Sequence, residues 1–254
     1  MKKLIGGWSM ALDVAPLDEF DITMYGMVTN LEGLTTGSRA APGWSPVNNH
    51  KPFAEKTSSG LWVYGGGGCS PVGRPSSDGE VQRIIDVTVQ QQWDGVDFDD
   101  ECNMDTDRVI QAMAGLKANN KQTSYGFISG YSYNHPQSVT GQKLAEKVKK
   151  IIQSGHCDRL IHYCYASAMW SESDIKNNVR QALQTSLDYG MPKAGIILAL
   201  TTRGLNDWSL NYFLDQIVTL DVGGLFVWRY TALTDAQRTV IKNRLSDTLT
   251  GSSY

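Results

Sequence analysis

The sequence predicts a single α/β domain built as a closed (β/α)8 barrel. Three observations lead there. Strand-like runs alternate with helical patterns along the chain, as parallel strands joined by crossover helices require. Eight such units fit within 254 residues, the usual size of a one-domain barrel. Nucleotide-fold signals are missing: no GxGxxG follows the first strand, and Gly65 to Gly68 lacks a downstream Lys-Ser/Thr. Residues 1–254 are therefore expected to form one barrel domain without a large inserted domain.

The first strand is Leu4 to Trp8 and the second Ile22 to Val28. From Asn30 to Gly60 the chain is rich in Gly, Pro, Ser and Asn, with at most a turn at Pro52 to Lys56. Structureless loops of that length are uncommon in compact domains and often functional. The third strand, Leu61 to Tyr64, leads into the glycine run. Ser77 and Glu80 then form the pattern of a capping box, and Val81, Ile84, Ile85 and Val89 recur at helical spacing. A fourth strand runs to Glu101, and Asp105 caps a helix carrying Val109, Ile110, Met113 and Leu116. The fifth strand, Thr123 to Ser129, precedes a helix over Val139 to Gln153 that Gly155 ends.

Leu160 to Tyr165 makes the sixth strand. Ser171 caps a helix to about Tyr189, which Gly190 and Pro192 stop. Ala194 to Leu200 is a nearly unbroken apolar run, as in a parallel strand buried on both faces. A helix from Asn206 to Val218 and an eighth strand from Gly223 to Trp228 follow. Thr234 and Gln237 open a last helix to about Leu249.

Composition excludes several classes of function. A net charge of -3 gives no electrostatic case for nucleic acid or an anionic membrane. No apolar run approaches the ~20 residues of a membrane span. Lys2 and Lys3 precede a short apolar stretch broken by Gly6 and Gly7, which reads as a strand rather than a signal peptide. A cytosolic chain and a secreted one whose signal was replaced by a start Met both fit. The cysteines, Cys69, Cys102, Cys157 and Cys164, form no CxxC pair, so a zinc-finger type of metal site is not expected. Cys69 and Cys102 each end a neighbouring strand, a placement open to pairing in an oxidising compartment or to two buried thiols.

The chemistry concentrates in Trp93-Asp94-Gly95-Val96-Asp97-Phe98-Asp99-Asp100-Glu101. At strand period, Asp97, Asp99 and Glu101 share one face while Val96 and Phe98 share the other. Same-face residues repeat about every 6–7 Å, so neighbouring carboxyls can lean into contact. Repulsion then raises at least one pKa and leaves an acid that holds its proton near neutral pH. A cation-binding loop is the plain alternative, but such loops are polar and turn on glycine. In a barrel the active site lies at the strands' C-terminal ends, where Glu101 falls.

Asp94-x-x-Asp97-x-Asp99-x-Glu101 matches the DxxDxDxE signature and resembles glycoside hydrolase family 18, the chitinases and endo-β-N-acetylglucosaminidases. The likeness covers most of the chain. Val63-Tyr64-Gly65-Gly66 sits where that family has SxGG, with Tyr64 departing from the usual small residues. Trp228 ends a strand similar to the one whose Trp floors the sugar site. Tyr165 falls where the family's acetamido-binding Tyr stands, followed here by Ala166 instead of Asp or Asn.

The resemblance implies Glu101 as general acid and base, Asp99 as the group that orients the acetamido N–H, and Asp97 as its charge partner. Tyr165 would hold the acetamido oxygen. Trp228, Tyr64, Gly65, Trp8 and Trp170 are the substrate-binding candidates. The acids lie on one side of any substrate, and the resemblance implies the family's answer to that arrangement, the substrate's own 2-acetamido group as nucleophile, without metal or cofactor. A monomer acting on chitin or on the chitobiose core of N-glycans is implied. Trp8, Trp44, Trp170, Trp208 and Trp228 near strand ends suggest a polysaccharide track and favour chitin; Asp100 between the working acids resembles some endo-β-N-acetylglucosaminidases. A silent sugar-binding or storage barrel is the alternative of another class. Trp62, Trp93 and His162, out of phase with Tyr163 and Tyr165, read as core.

Overall fold

The computed structural model describes residues 2–37, 43–67, 73–101, 103–135 and 137–246. Its first half runs β1 (Leu4–Ser9), β2 (Ile22–Asn30), β3 (Thr35–Thr36), β4 (Ser59–Gly65), α1 (Asp78–Gln90), β5 (Gly95–Asp100), α2 (Thr106–Ala118) and β6 (Gln122–Ile128). Then come α3 (Tyr131–Asn134), α4 (Val139–Gln153), β7 (Arg159–Tyr163), α5 (Glu172–Asp188), β8 (Ile196–Thr201), α6 (Asp207–Leu220), β9 (Gly224–Trp228) and α7 (Asp235–Ser246).

All strands except β3 pair in parallel, in the order β1-β2-β4-β5-β6-β7-β8-β9 and back to β1. The result is the expected (β/α)8 barrel. Alternation along the strands builds its two cores. Met24, Leu61, Val63, Ile161, Ile197 and Phe226 fill the interior. Their out-of-phase neighbours, among them Trp62, Val96, Phe98 and Leu198, pack beneath the helices. Such burial leaves no wet face on any barrel strand, as parallel sheets require.

Helix starts follow their caps. Asp105 accepts from the amides of Asp107 and Arg108, Ser171 from Asp174, and Asn206 and Ser209 form a reciprocal box. Thr234 and Gln237 pair as the spacing predicts; the helix beyond Ser246 lies outside the described residues. The box at Ser77 is only half made. Ser77 Oγ accepts from the amide of Glu80, but the Glu80 side chain turns inward. Fully buried, it accepts from Leu31 N and Tyr64 Oη, both at 2.8 Å, and from Ser76. A buried carboxylate needs that many donors, so Glu80 pins the loop after β2 to the barrel wall.

After β2 the chain first turns back as β3, antiparallel to Val28 and Asn30 at that strand's C-terminal end. Farther on, Val47 O accepts from Gln91, and Asn49 O accepts from Trp93 Nε1 at 3.1 Å, which places that stretch on the barrel's flank and lower end. Trp44, expected near a sugar track, is 4% exposed in the core. It lies against Gly26, where φ is +64° and a Cβ would come within 2.4 Å of the indole.

Candidate active site

β5 presents its acids as its period requires. Gly95 to Asp100 are all buried, with Asp97 and Asp99 turned into the barrel and Glu101 exposed just past the strand end. Asp94, the first acid of the signature, sits at the other end. Its Oδ2 accepts from Lys51 Nζ and from Gly60 N, both at 2.8 Å, which ties β4 to β5 far from the other acids. Asp100 faces outward and is fully occupied by Tyr125 Oη at 2.6 Å, Lys147 Nζ at 2.7 Å and Met104 N at 2.8 Å. It fastens the loop after β5 to α4.

Asp97 accepts from Trp8 Nε1 at 3.2 Å, while its Oδ1 is buried without a hydrogen bond. Burial pushes its pKa up to about 7, against the pull of the Trp8 N–H and the charge of Arg159. Asp99 is 3% exposed, and its Oδ1 is also without a hydrogen bond. Burial first, then repulsion from Glu101 and Asp97, holds its carboxyl well above the usual range; the Tyr163 hydroxyl works the other way. The line therefore carries fewer negative charges than carboxyls at neutral pH. That gives acid chemistry its proton.

The row of Asp99 is emptied by glycine. Gly65 on β4 and Gly126 on β6 are its register partners. A Cβ on Gly126 would meet Tyr163 Oη at 2.1 Å, so its absence is what admits the Tyr163 hydroxyl to the acid line. Gly65 adopts φ +105° and would carry a Cβ 2.3 Å from Asp99 O. Next to it, the Gly66 amide donates to that oxygen at 2.7 Å. Gly65 thus shapes the backbone beside the acids. Sequence alone places Tyr163 only in phase with Tyr165; the signal for its closeness to the acids is a lone glycine in mid-strand, which marks close approach.

A recess at the C-terminal face is lined by Trp8, Asp99, Glu101, Ile128, Tyr163, Tyr165, Ala166 and Trp228. It gathers Glu101, Asp99, Tyr165 and Trp228 as the sequence proposes. Tyr165 follows β7 and lies 5.8 Å from Tyr163, centroid to centroid. Trp228 ends β9, half-buried, 6.2 Å from the Trp8 ring. On the other side of Glu101 and Ile128 lies an open groove of about 570 Å³, bordered by Asn103, Gly130, Lys143 and Leu144.

Other candidates are placed differently from the expectation. Tyr64 is one residue out of phase with Gly65, so it faces the helices, fully buried, and donates to Glu80. Trp8 is 3% exposed, its ring covered by Tyr163, Phe226 and Trp228. It serves the acid line as a donor to Asp97 and offers no sugar platform. Trp208 is on α6, stacked on Tyr212 with Lys176 Nζ over it, outside the barrel. Of the five tryptophans expected on one face, Trp228 and the half-buried Trp170, which leans on Gly130, remain. Cys69 and Cys102 lie outside the described residues; Cys157 and Cys164 are free. His162 is a core residue, between Ser129 Oγ at 3.0 Å and Ser186 Oγ at 3.1 Å.

The backbone shows which known folds the chain is similar to. The catalytic domain of a Pyrococcus furiosus chitinase superposes with a TM-score of 0.68 at 14% identity, over 100% of this chain and 98% of that one. The chain has the fold of the chitinases. A GH18 chitinase from Cycas revoluta, solved with (GlcNAc)4, gives 0.63 at 12% identity over 97% and 99%. A fungal endo-β-N-acetylglucosaminidase of glycosyl hydrolase family 18 gives 0.60 at 13% over 89% and 90%. No family model and no curated protein matches the sequence. The likeness is therefore one of fold, over 89–100% of this chain at 12–14% identity.

Proposed function

We propose that this protein is a family 18 glycoside hydrolase that cuts β-linked N-acetylglucosamine chains, chitin above all, with retention of configuration. One observation carries the reading. Every carboxylate among the described residues lining the recess, Asp99 and Glu101, comes from one strand. A double displacement with an enzymic nucleophile needs carboxyls facing each other across the sugar, about 5 Å apart. An acid line on one side fits a substrate that supplies its own nucleophile.

In this mechanism Glu101 protonates the glycosidic oxygen as the leaving sugar departs toward the groove beyond Ile128. The acetamido oxygen attacks the anomeric carbon and closes a cyclic oxazolinium. Asp99 accepts the acetamido N–H through its unprotonated oxygen, and the single negative charge it shares with Asp97 offsets the positive charge that develops there, an electrostatic contribution of the oxyanion-hole kind with its sign reversed. Tyr165 donates to the acetamido oxygen, and Asp97 is the charge partner behind Asp99. The carboxylate of Glu101 then takes a proton from water as that water opens the ring from the face the leaving group left. No step needs a metal or cofactor.

With two tryptophans at the face instead of five, the preference for chitin rests on Trp228, the groove past Glu101 and the oligosaccharide-bound relatives. The fungal relative supports the chitobiose core as a second substrate. Product analysis separates them. Chitin oligomers are expected to be cut to shorter oligomers with β-anomeric ends, and a high-mannose glycopeptide to be left intact. Release of the glycan alone would assign the second substrate, and cleavage of neither would make the barrel a binding protein.

Trp228 tests the floor of the site. Trp228→Phe keeps most of the packing against Trp8, so the variant should stay folded. Its affinity for chitin oligomers should fall several-fold, in line with the ~0.5–1.5 kcal/mol of an aromatic contact, with a larger loss in turnover. Unchanged affinity and rate in folded protein would remove Trp228 from the site.

A further inference from the structure

Arg159 opens β7 inside the barrel, 7% exposed. It shares a row with the acid line, since Asp97 aligns with Ser124 on β6 and Ser124 with Arg159 on β7. Its Nε donates to Ser124 Oγ at 3.0 Å, and its Nη2 is buried without a hydrogen bond. The adjacent Asp158 is the strongest charge acting on it, but that carboxylate is shared with other donors. Asp158 Oδ1 pairs with Lys117 Nζ at 2.6 Å, and Oδ2 accepts from Thr123 N at 2.9 Å. Arginine stays charged in proteins, so a full cation stands in the barrel floor with its nearest inward carboxyl on Asp97. Asp97 Oδ1 is the matching orphan.

We infer that Arg159 is a positioning residue, the counter-charge that keeps Asp97 ionised and so leaves the proton of the acid line on Asp99. The assignment rests on the proposed hydrolytic reading for its kinetic consequence, though not for the charge state itself. Every group facing Asp97 agrees. Its own strand brings Asp99, with Glu101 beyond, and β4 brings only Val63. From β1 comes the neutral N–H of Trp8. The β7 side adds Cys157, whose thiol burial pushes up to about 12, and the hydroxyls of Tyr163 and Tyr165, both raised far above their ordinary range. All three are neutral near pH 7, so Arg159 is the one cation in the set. Its charge favours the anion on Asp97 over Asp99, which sits one step farther along the strand and beside Glu101.

Carboxyl ¹³C NMR of the folded parent protein tests the charge state without reference to activity. Asp97 should ionise before Asp99 as pH rises; the reverse order overturns the inference. In Arg159→Gln the Asp97 midpoint should move up by about one unit, as loss of a nearby opposite charge implies, while Arg159→Lys should hold it. In the hydrolysis assay the acidic limb of kcat/KM should follow: displaced in Arg159→Gln, kept in Arg159→Lys. Lysine and glutamine variants that lower turnover equally with unmoved midpoints would reduce Arg159 to packing. A parent without hydrolase activity would remove the proposed function while the NMR order still decides the role of Arg159.

Discussion

Glu101→Gln is expected to abolish most turnover on chitin oligomers while leaving their binding nearly intact. Glutamine matches glutamate in size and can still donate a hydrogen bond, but it has no proton to transfer and cannot deprotonate water. General acid–base groups contribute about 10²–10⁴-fold, and Glu101 is asked to act in both halves of the reaction, so a loss of at least ~10²-fold is expected. Glu101 is exposed past the end of β5, where isosteric changes usually alter stability by under ~0.5 kcal/mol. The comparison is therefore between two folded proteins. Titration calorimetry with a chitin oligomer should give a dissociation constant within a few-fold of the parent's, whereas the hydrolytic rate collapses. Near-normal hydrolysis would sink the assignment of Glu101.

The second large effect is expected from Asp99→Asn, and it should separate stability from activity. Asp99 is held protonated far above the ordinary carboxylate range, by burial first and then by Glu101 and Asp97. Such a raised group favours the fold fully below its unfolded pKa and loses that contribution as pH rises through its folded value. Asparagine cannot ionise, so the variant escapes the loss. Thermal melts should show Asp99→Asn above the parent in mildly alkaline buffer, with the difference closing toward pH 4. Activity should move the other way. An amide can neither give a proton to Asp97 nor take up the negative charge the pair shares as the oxazolinium forms, so turnover should fall by at least ~10²-fold, the scale of one lost electrostatic contact in a transition state. The same logic bars cello-oligosaccharides, which lack the acetamido group, as substrates of the parent. Comparable rates on glucose and N-acetylglucosamine oligomers would contradict substrate assistance. A parent that out-melts Asp99→Asn at high pH would contradict the charge state.

Both variants draw on what the chain displays locally. The alternation of Asp97, Asp99 and Glu101 with Val96 and Phe98 follows from the two-residue period of a strand. Its apolar half had to be buried, so its acidic half had to line an interior. Caps at Asp105, Ser171 and Asn206 act over three or four residues, and they too are local. The eight alternating units then left the closed barrel as the arrangement that covers both faces of every strand. Even the misplaced Tyr64 was legible, because a side chain next to Gly65 and Val63 in phase must point to the helices.

What only the tertiary structure decided are the contacts that exist because the barrel closes. Trp8 reaches Asp97 across 89 residues of sequence, since β1 and β5 send their side chains into one interior. Gly126 makes room beside Asp99 only when β5, β6 and β7 fall into a particular register, and that admits Tyr163. The same registers put Arg159 in the row of Asp97 and drew Glu80 away from its cap to Tyr64 and Leu31. Periodicity in one strand states which way a side chain points. It does not state which residue of a distant strand stands at the same height, because register is set by the sum of packing around the whole barrel. For that reason the acids were readable from the sequence, and the residues that set their charges were not.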